Sequence, residues 1–210
     1  MTDDVTRPAG SVPAGQFTVW LGEIGRAIAG DGESDVPCGE CTACCEASQF
    51  IHVGPDETDT LAHIPSALLF PAPGLPKGHR LMGYDEHGRC PMLVDGRCTI
   101  YAHRPRTSRT YDCRVFAAAD VADTDPSKAR IAARARRWRF DEPLSDDVVR
   151  HGAVRAAARF LEAYADALPP HVAPVTATQR AVLAVELHET FLDADPTVDD
   201  VVLVLTTLAF

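Results

Sequence analysis

Apolar positions recur at helical spacing from Phe17 to Ala29, where Trp20, Leu21, Ile24, Ala27 and Ile28 share a face and Gly30 supplies a stop. The residues ahead of that helix, 1–16, carry Pro8, Gly10, Pro13 and Gly15 without any period and read as a flexible tail. The same helical period returns late in the chain. Residues 126–139 form an Ala- and Arg-rich stretch that reads as a helix. Residues 145–167 open on Ser145 as an N-cap followed by Asp146 and Asp147. They then place Val148, Val149, Ala153, Val154, Ala157, Phe160, Leu161 and Tyr164 on one broad face, up to the Pro169-Pro170 stop. Thr176 caps a further helix over 176–192, and Asp195-Pro196-Thr197 separates it from a last one over 198–208.

The pattern between these helical regions is different. Residues 50–53 read as a short strand, 56–63 as a short helix, and 64–78, with Pro65, Pro71, Pro73 and Pro76, as loop. Short strands follow over 80–85 and 92–100, with turns at His87-Gly88 and Asp95-Gly96. Asp-Gly between apolar residues is a strong hairpin signal. The fold class expected is α+β and mostly helical: a small irregular cysteine-rich module with short strands, plus a helical C-terminal part. The expected organisation is a tail over 1–16, the N-terminal helix and cysteine module over 17–120, and a helical region over 121–210.

Composition narrows the function. The chain has 210 residues, 46% of them hydrophobic, and a net charge of −10. That hydrophobic fraction excludes wholesale disorder, and no apolar run approaches the ~20 residues of a membrane helix. The acidic balance argues against a nucleic-acid partner, even with Lys128, Arg130, Arg134, Arg136, Arg137 and Arg139 clustered; these read as a solvated helix face. The N-terminus is polar and acidic rather than basic and then apolar, so a cytoplasmic location is expected and no membrane association.

In that setting seven cysteines are the informative feature, because thiols stay reduced and a cluster points to metal or catalysis rather than to disulfides. The candidate metal ligands are Cys38, Cys41, Cys44, Cys45, Cys90, Cys98 and Cys113. A Cys-x2-Cys turn brings two thiolates to one side. The run Cys38-x2-Cys41-x2-Cys44-Cys45 overlaps two such turns, and the Asp95-Gly96 hairpin can return Cys90 or Cys98 to them. Adjacent Cys44 and Cys45 diverge, by about 100° in a helix, so one mononuclear ion does not suit both. Two centres or one multinuclear cluster suit them better. Zinc and iron–sulfur remain alternatives, since either leaves a similar negative charge on four thiolates, for which Arg97, Arg104, Arg106, Arg109 and Arg114 are nearby cations in sequence. Cys113, between Arg109 and Arg114, reads as a metal ligand in preference to a reactive low-pKa nucleophile.

These residues resemble the YkgJ-type cysteine-cluster family, a zinc- or iron-chelating domain. The run Cys38-x2-Cys41-x2-Cys44-Cys45 is similar to its signature, and Cys90-Pro91-Met92-Leu93-Val94-Asp95-Gly96-Arg97-Cys98-Thr99-Ile100-Tyr101 to its second segment. Arg104-Pro105, Arg109 and Cys113 match later positions. The resemblance covers about residues 37–116 and implies metal chelation; some relatives are flagellin lysine N-methylases. Ser108 stands where many relatives have cysteine. Two readings follow: a lost ligand, or a second, open site completed by Ser108, His103, Asp112 or water.

The expected function is therefore a metal-binding protein, holding an iron–sulfur cluster or zinc, with redox or modifying-enzyme chemistry at the metal. The alternative is a structural zinc module whose helical region binds a protein partner, for instance through Asp193, Asp195, Asp199, Asp200 and the apolar Val201–Phe210. No catalytic residue is identified, and His52, His63, His79, His87 and His103 read as structural or exposed.

Overall fold

Strand β1 (Val12–Gln16) lies parallel to strand β7 (Trp138–Asp141), pairing Val12 with Trp138 and Gln16 with Asp141 across a bulge between Pro13 and Gly15. Both strands correct the sequence expectation. The first falls in the stretch read as a flexible tail, and the second ends what was read as a helix over 126–139. The reason is tertiary: each is too short to show a period, and each is held by the other. Our computed structural model describes residues 10–34, 36–192 and 195–208. Part of the expected tail, and Asp193 and Phe210 of the expected partner surface, lie outside the described residues.

The chain divides into two units. A helical unit contains the described residues of 1–25, 113–123 and 132–210; a cysteine-bearing unit contains residues 26–112 and 124–131. The start of helix α1 (Phe17–Ile28) and all of α4 (Arg114–Ala119) thus belong to the helical unit, whereas the sequence grouped them with the cysteine module. Fold class is mixed α+β and mostly helical, as expected. Among the described residues no helix is long and apolar enough to cross a membrane.

In the helical unit, α4 packs on α6 (Ser145–Ala163) and α7 (Ala177–Leu187). Phe17, Trp20, Trp138, Val154, Leu161, Leu187 and Val201 are fully buried. The last of these lies on α8 (Val198–Leu208). Thr176 and Gln179 close a reciprocal capping box on α7, as Thr176 predicted. The start of α6 differs from expectation: the cap is provided not by Ser145 but by Asp147, from inside the first turn.

Asp147 is fully buried. Its carboxylate accepts the backbone N–H of Leu144 at 3.0 Å, and the N–H and hydroxyl of Thr18 at 2.9 and 2.7 Å. It also accepts the Gln16 amide. One side chain therefore caps α6 and the N-terminus of α1. Burial alone would push this carboxyl up, but the Thr18, Leu144 and Gln16 donors outweigh it and hold it below its ordinary 3.8. Nearby, burial holds His151 below its ordinary 6.5 despite its pairing with Glu142. The unfolded chain binds a proton at each site more readily than the folded one, so stability falls as pH drops. The His151 contribution is lost first, from about 6.5 downward, and the Asp147 contribution below about 4. Asp147→Asn is expected to flatten the lower part of that profile and to reduce the melting temperature at neutral pH, read by circular dichroism. An unchanged acid limb would show that this carboxylate does not link the two helices.

The cysteine-bearing unit is built of small pieces. Strands β2 (Ile51–Val53), β3 (Leu69–Pro71) and β4 (Arg80–Met82) form an antiparallel sheet in the order β2-β4-β3. Its apolar core is Val53, Ile64, Met82, Met92 and Ile100, with Cys90 and Cys98 packed against it.

Candidate metal centre

The expected hairpin forms between β5 (Leu93–Val94) and β6 (Arg97–Cys98), with Leu93 opposite Cys98. Asp95 and Gly96 both have positive φ, 48° and 73°, the conformation a two-residue hairpin turn requires. Thr99 N–H closes the ladder on Met92 O at 2.9 Å. The turn thereby carries Cys98 back toward Cys90. The Met92 and Leu93 backbone N–H groups donate to the Cys90 sulfur, an arrangement that stabilises thiolate.

The first cysteine run docks on this hairpin through its backbone. Cys90 N–H donates to Cys45 O at 2.6 Å, and Ser48 N–H to Gly88 O at 2.9 Å. Cys41 N–H donates to Cys38 O at 3.0 Å, forming the turn that the Cys-x2-Cys spacing predicts. A short 3-10 helix, Ala43–Glu46, then separates the adjacent cysteines: Cys45 is half-buried and Cys44 exposed. This is the divergence expected of neighbouring side chains.

Electrostatics show which thiols influence Cys45 and Cys90. The Cys45 thiol is pushed up to about 12, first by burial and then by the charges of Cys90, Cys98, Cys38 and Cys41. Cys90 is raised as well, by burial foremost and by Cys98 next among the raising influences. Cys38, Cys41, Cys90 and Cys98 thus each bear on Cys45, and Cys98 on Cys90. Without a cation these neighbours disfavour ionisation of Cys45 and Cys90; a bound cation reverses that and favours thiolate there. Cys113 lies in the helical unit. It is buried there, at the start of α4, and its sulfur accepts the Trp138 indole N–H at 3.2 Å. Ser108 is half-buried on α3 (Arg106–Thr110).

Four of the five arginines expected near the second segment have other partners. Arg106 pairs with Asp56, Arg109 with Glu33, and Arg104 lies over the Tyr101 ring while donating to Tyr101 O. Arg114 is buried and donates to Ala14 O. Glu57, unremarked in the sequence, is buried and accepts backbone N–H groups from Gly54 and Arg106, fixing the start of α3. Its only advance signal was its place in an acidic run.

Gly88 shows how tight the docking is. Its φ is +75°, and a Cβ there would come within 2.2 Å of the Ser48 hydroxyl. Gly88→Ala is expected to pull the first cysteine run off the hairpin and to speed chelator-driven metal loss by about tenfold, the scale of a disturbed supporting shell. Release at the wild-type rate would mean that this backbone link does not hold the site.

Residues 37–126 match the model of the CxxCxxCC family, whose description is "Putative zinc- or iron-chelating domain". No curated protein and no solved structure matches the chain.

Proposed function

We propose, from the match of residues 37–126 to the CxxCxxCC family model of a "Putative zinc- or iron-chelating domain", that the chain holds an iron–sulfur centre through Cys38, Cys41, Cys45, Cys90 and Cys98. Cys44 is a further candidate ligand in the same unit, and Cys113 a separate candidate in the helical unit. The observation that carries this reading is the docking of the first cysteine run on the Cys90–Cys98 hairpin, with Cys90 N–H on Cys45 O at 2.6 Å and Cys45 the thiol on which the other four bear. Five exceed the four that one tetrahedral zinc or one [4Fe–4S] cluster takes, and the lean toward iron–sulfur rests on adjacent Cys44 and Cys45, which suit a multinuclear site. The paired N–H donors to Cys90 fit a metal-bound sulfur, as does the Trp138 N–H to Cys113. A bound iron–sulfur centre supplies one-electron chemistry. The protein's own residues supply the half-buried, hydrogen-bonded setting that tunes it. A reducing, cytoplasmic compartment accords with this many clustered cysteines.

The test is anaerobic purification followed by metal and sulfide analysis and a visible spectrum. Iron with acid-labile sulfide and broad visible absorption is expected. Stoichiometric zinc without sulfide or colour would replace this reading with the structural one. In that second reading the metal staples the module, and the exposed apolar positions Val148, Val149 and Leu203 of the helical unit meet a protein partner. Ser108→Cys separates the two views of that position: an added metal equivalent or tighter binding marks a completed site, and unchanged stoichiometry and affinity mark a ligand merely lost.

A further inference from the structure

Away from the cysteines, helix α2 (Thr58–His63) sets Asp59 and His63 four residues apart, so both side chains rise from one face. The 3-10 turn Tyr101–His103 packs against α2 and adds His103. One ligand atom from each of Asp59, His63 and His103 lies within 4.8 Å of the others. The His103 Nδ1 is 2.6 Å from Asp59 Oδ2, and the His63 and His103 rings stack with centroids 3.5 Å apart and planes within 5°.

From this juxtaposition we propose that Asp59, His63 and His103 form a second metal site, independent of the thiolates, for a divalent ion of the zinc or ferrous-iron class.

Three features argue for it. The first is tautomer. His63 Nδ1 lies 2.8 Å from the Asp59 carbonyl oxygen, which can only accept, so Nδ1 carries the hydrogen and Nε2 presents a lone pair. A backbone carbonyl holding one imidazole nitrogen is the usual support behind a metal-bound histidine. The second is proximity: the stack sets both imidazoles beside one carboxylate, and the rings must turn out of their parallel stack for their in-plane lone pairs to converge on one ion. The third is access. The side chains are 41% (His63), 37% (His103) and 70% (Asp59) exposed, so an ion can enter from solvent and keep water on its remaining positions. Two imidazoles and one carboxylate with open positions suit ferrous iron or zinc, whereas the cysteine set selects softer thiolate chemistry.

The site is tested with Co²⁺ as probe, added to full-length protein whose cysteine centre is left as isolated. One additional Co²⁺ per chain is expected, with weak visible bands and no thiolate-to-metal charge transfer. His63→Ala and His103→Ala are each expected to weaken that binding by at least about tenfold, and Asp59→Asn to weaken it with both rings retained. Metal and sulfide at the cysteines should not change in any variant, which separates this site from the proposed function. All three positions lie on the surface, and circular dichroism checks that the variants fold. Absence of an additional Co²⁺, or equal binding by wild type and the His63→Ala/His103→Ala double variant, would overturn the proposal and leave an ordinary Asp59–His103 ion pair.

Discussion

Removing the metal from the cysteine centre is expected to unfold residues 26–112 as a cooperative block. The reason lies in the size of the pieces. β2, β3 and β4 have three residues each, β5 and β6 two each, and α2 and α3 six and five. Isolated helices shorter than about 12–15 residues are marginal in water, and a two-stranded hairpin is no better. The apolar core that must hold them is Val53, Ile64, Met82, Met92 and Ile100, with Cys90 and Cys98 at its edge. The cysteines therefore sit where core and hairpin meet, and a metal bound there ties the first run, the hairpin and the core together. Structural metal sites contribute on the order of 10 kcal/mol, more than the whole stability of many domains. Chelation under reducing conditions should abolish the unit's share of the far-UV circular dichroism and open Arg80 and Arg89 to trypsin. Cys45→Ser should produce the same state without chelator, because Cys45 is the thiol on which four others bear. Retention of structure and protease resistance after complete metal removal would show that the apolar core suffices and that the metal is held for its chemistry alone.

Much of this architecture is legible in the sequence for physical reasons. Helix α1 ends at Ile28 as its apolar face and Gly30 indicate, and Asp95-Gly96 makes the hairpin because those residue types tolerate positive φ. The Cys-x2-Cys turns and the divergence of Cys44 from Cys45 follow from local geometry in the same way. What the sequence hides is long-range. Pairing of Val12–Gln16 with Trp138–Asp141 spans more than a hundred residues and leaves no local period. Asp147 looks like one acid among several at a helix start, yet its oxygens are shared with Thr18 and Gln16, 129 and 131 positions away. Asp59 and His63 share a helix face, but His103 joins them only through packing 44 residues on, so no spacing marks the trio.

Trp138→Ala is the substitution expected to cost the helical unit most, about 3–5 kcal/mol by the measure of large aromatic truncations in cores. Trp138 is 1% exposed and sits on β7, where its backbone pairs with Val12. The Arg134 guanidinium lies 4.4 Å from its ring centroid. On the same strand Phe140 meets Phe17 edge-on and Trp20 at a tilt, so a void at Trp138 weakens the strand on which that aromatic cluster depends. Urea unfolding followed by Trp20 fluorescence would measure the loss; a cost below about 1 kcal/mol would show that the pocket collapses without penalty. Trp138→Phe isolates the indole N–H from the packing. It should cost only about 1 kcal/mol, but it removes a donor from the Cys113 sulfur and so disfavours the thiolate there. Cys113 in that variant is then expected to react more slowly with iodoacetamide at neutral pH than in wild-type protein stripped of metal. Equal rates would mean that the indole N–H contributes packing geometry to Cys113 and no charge stabilisation.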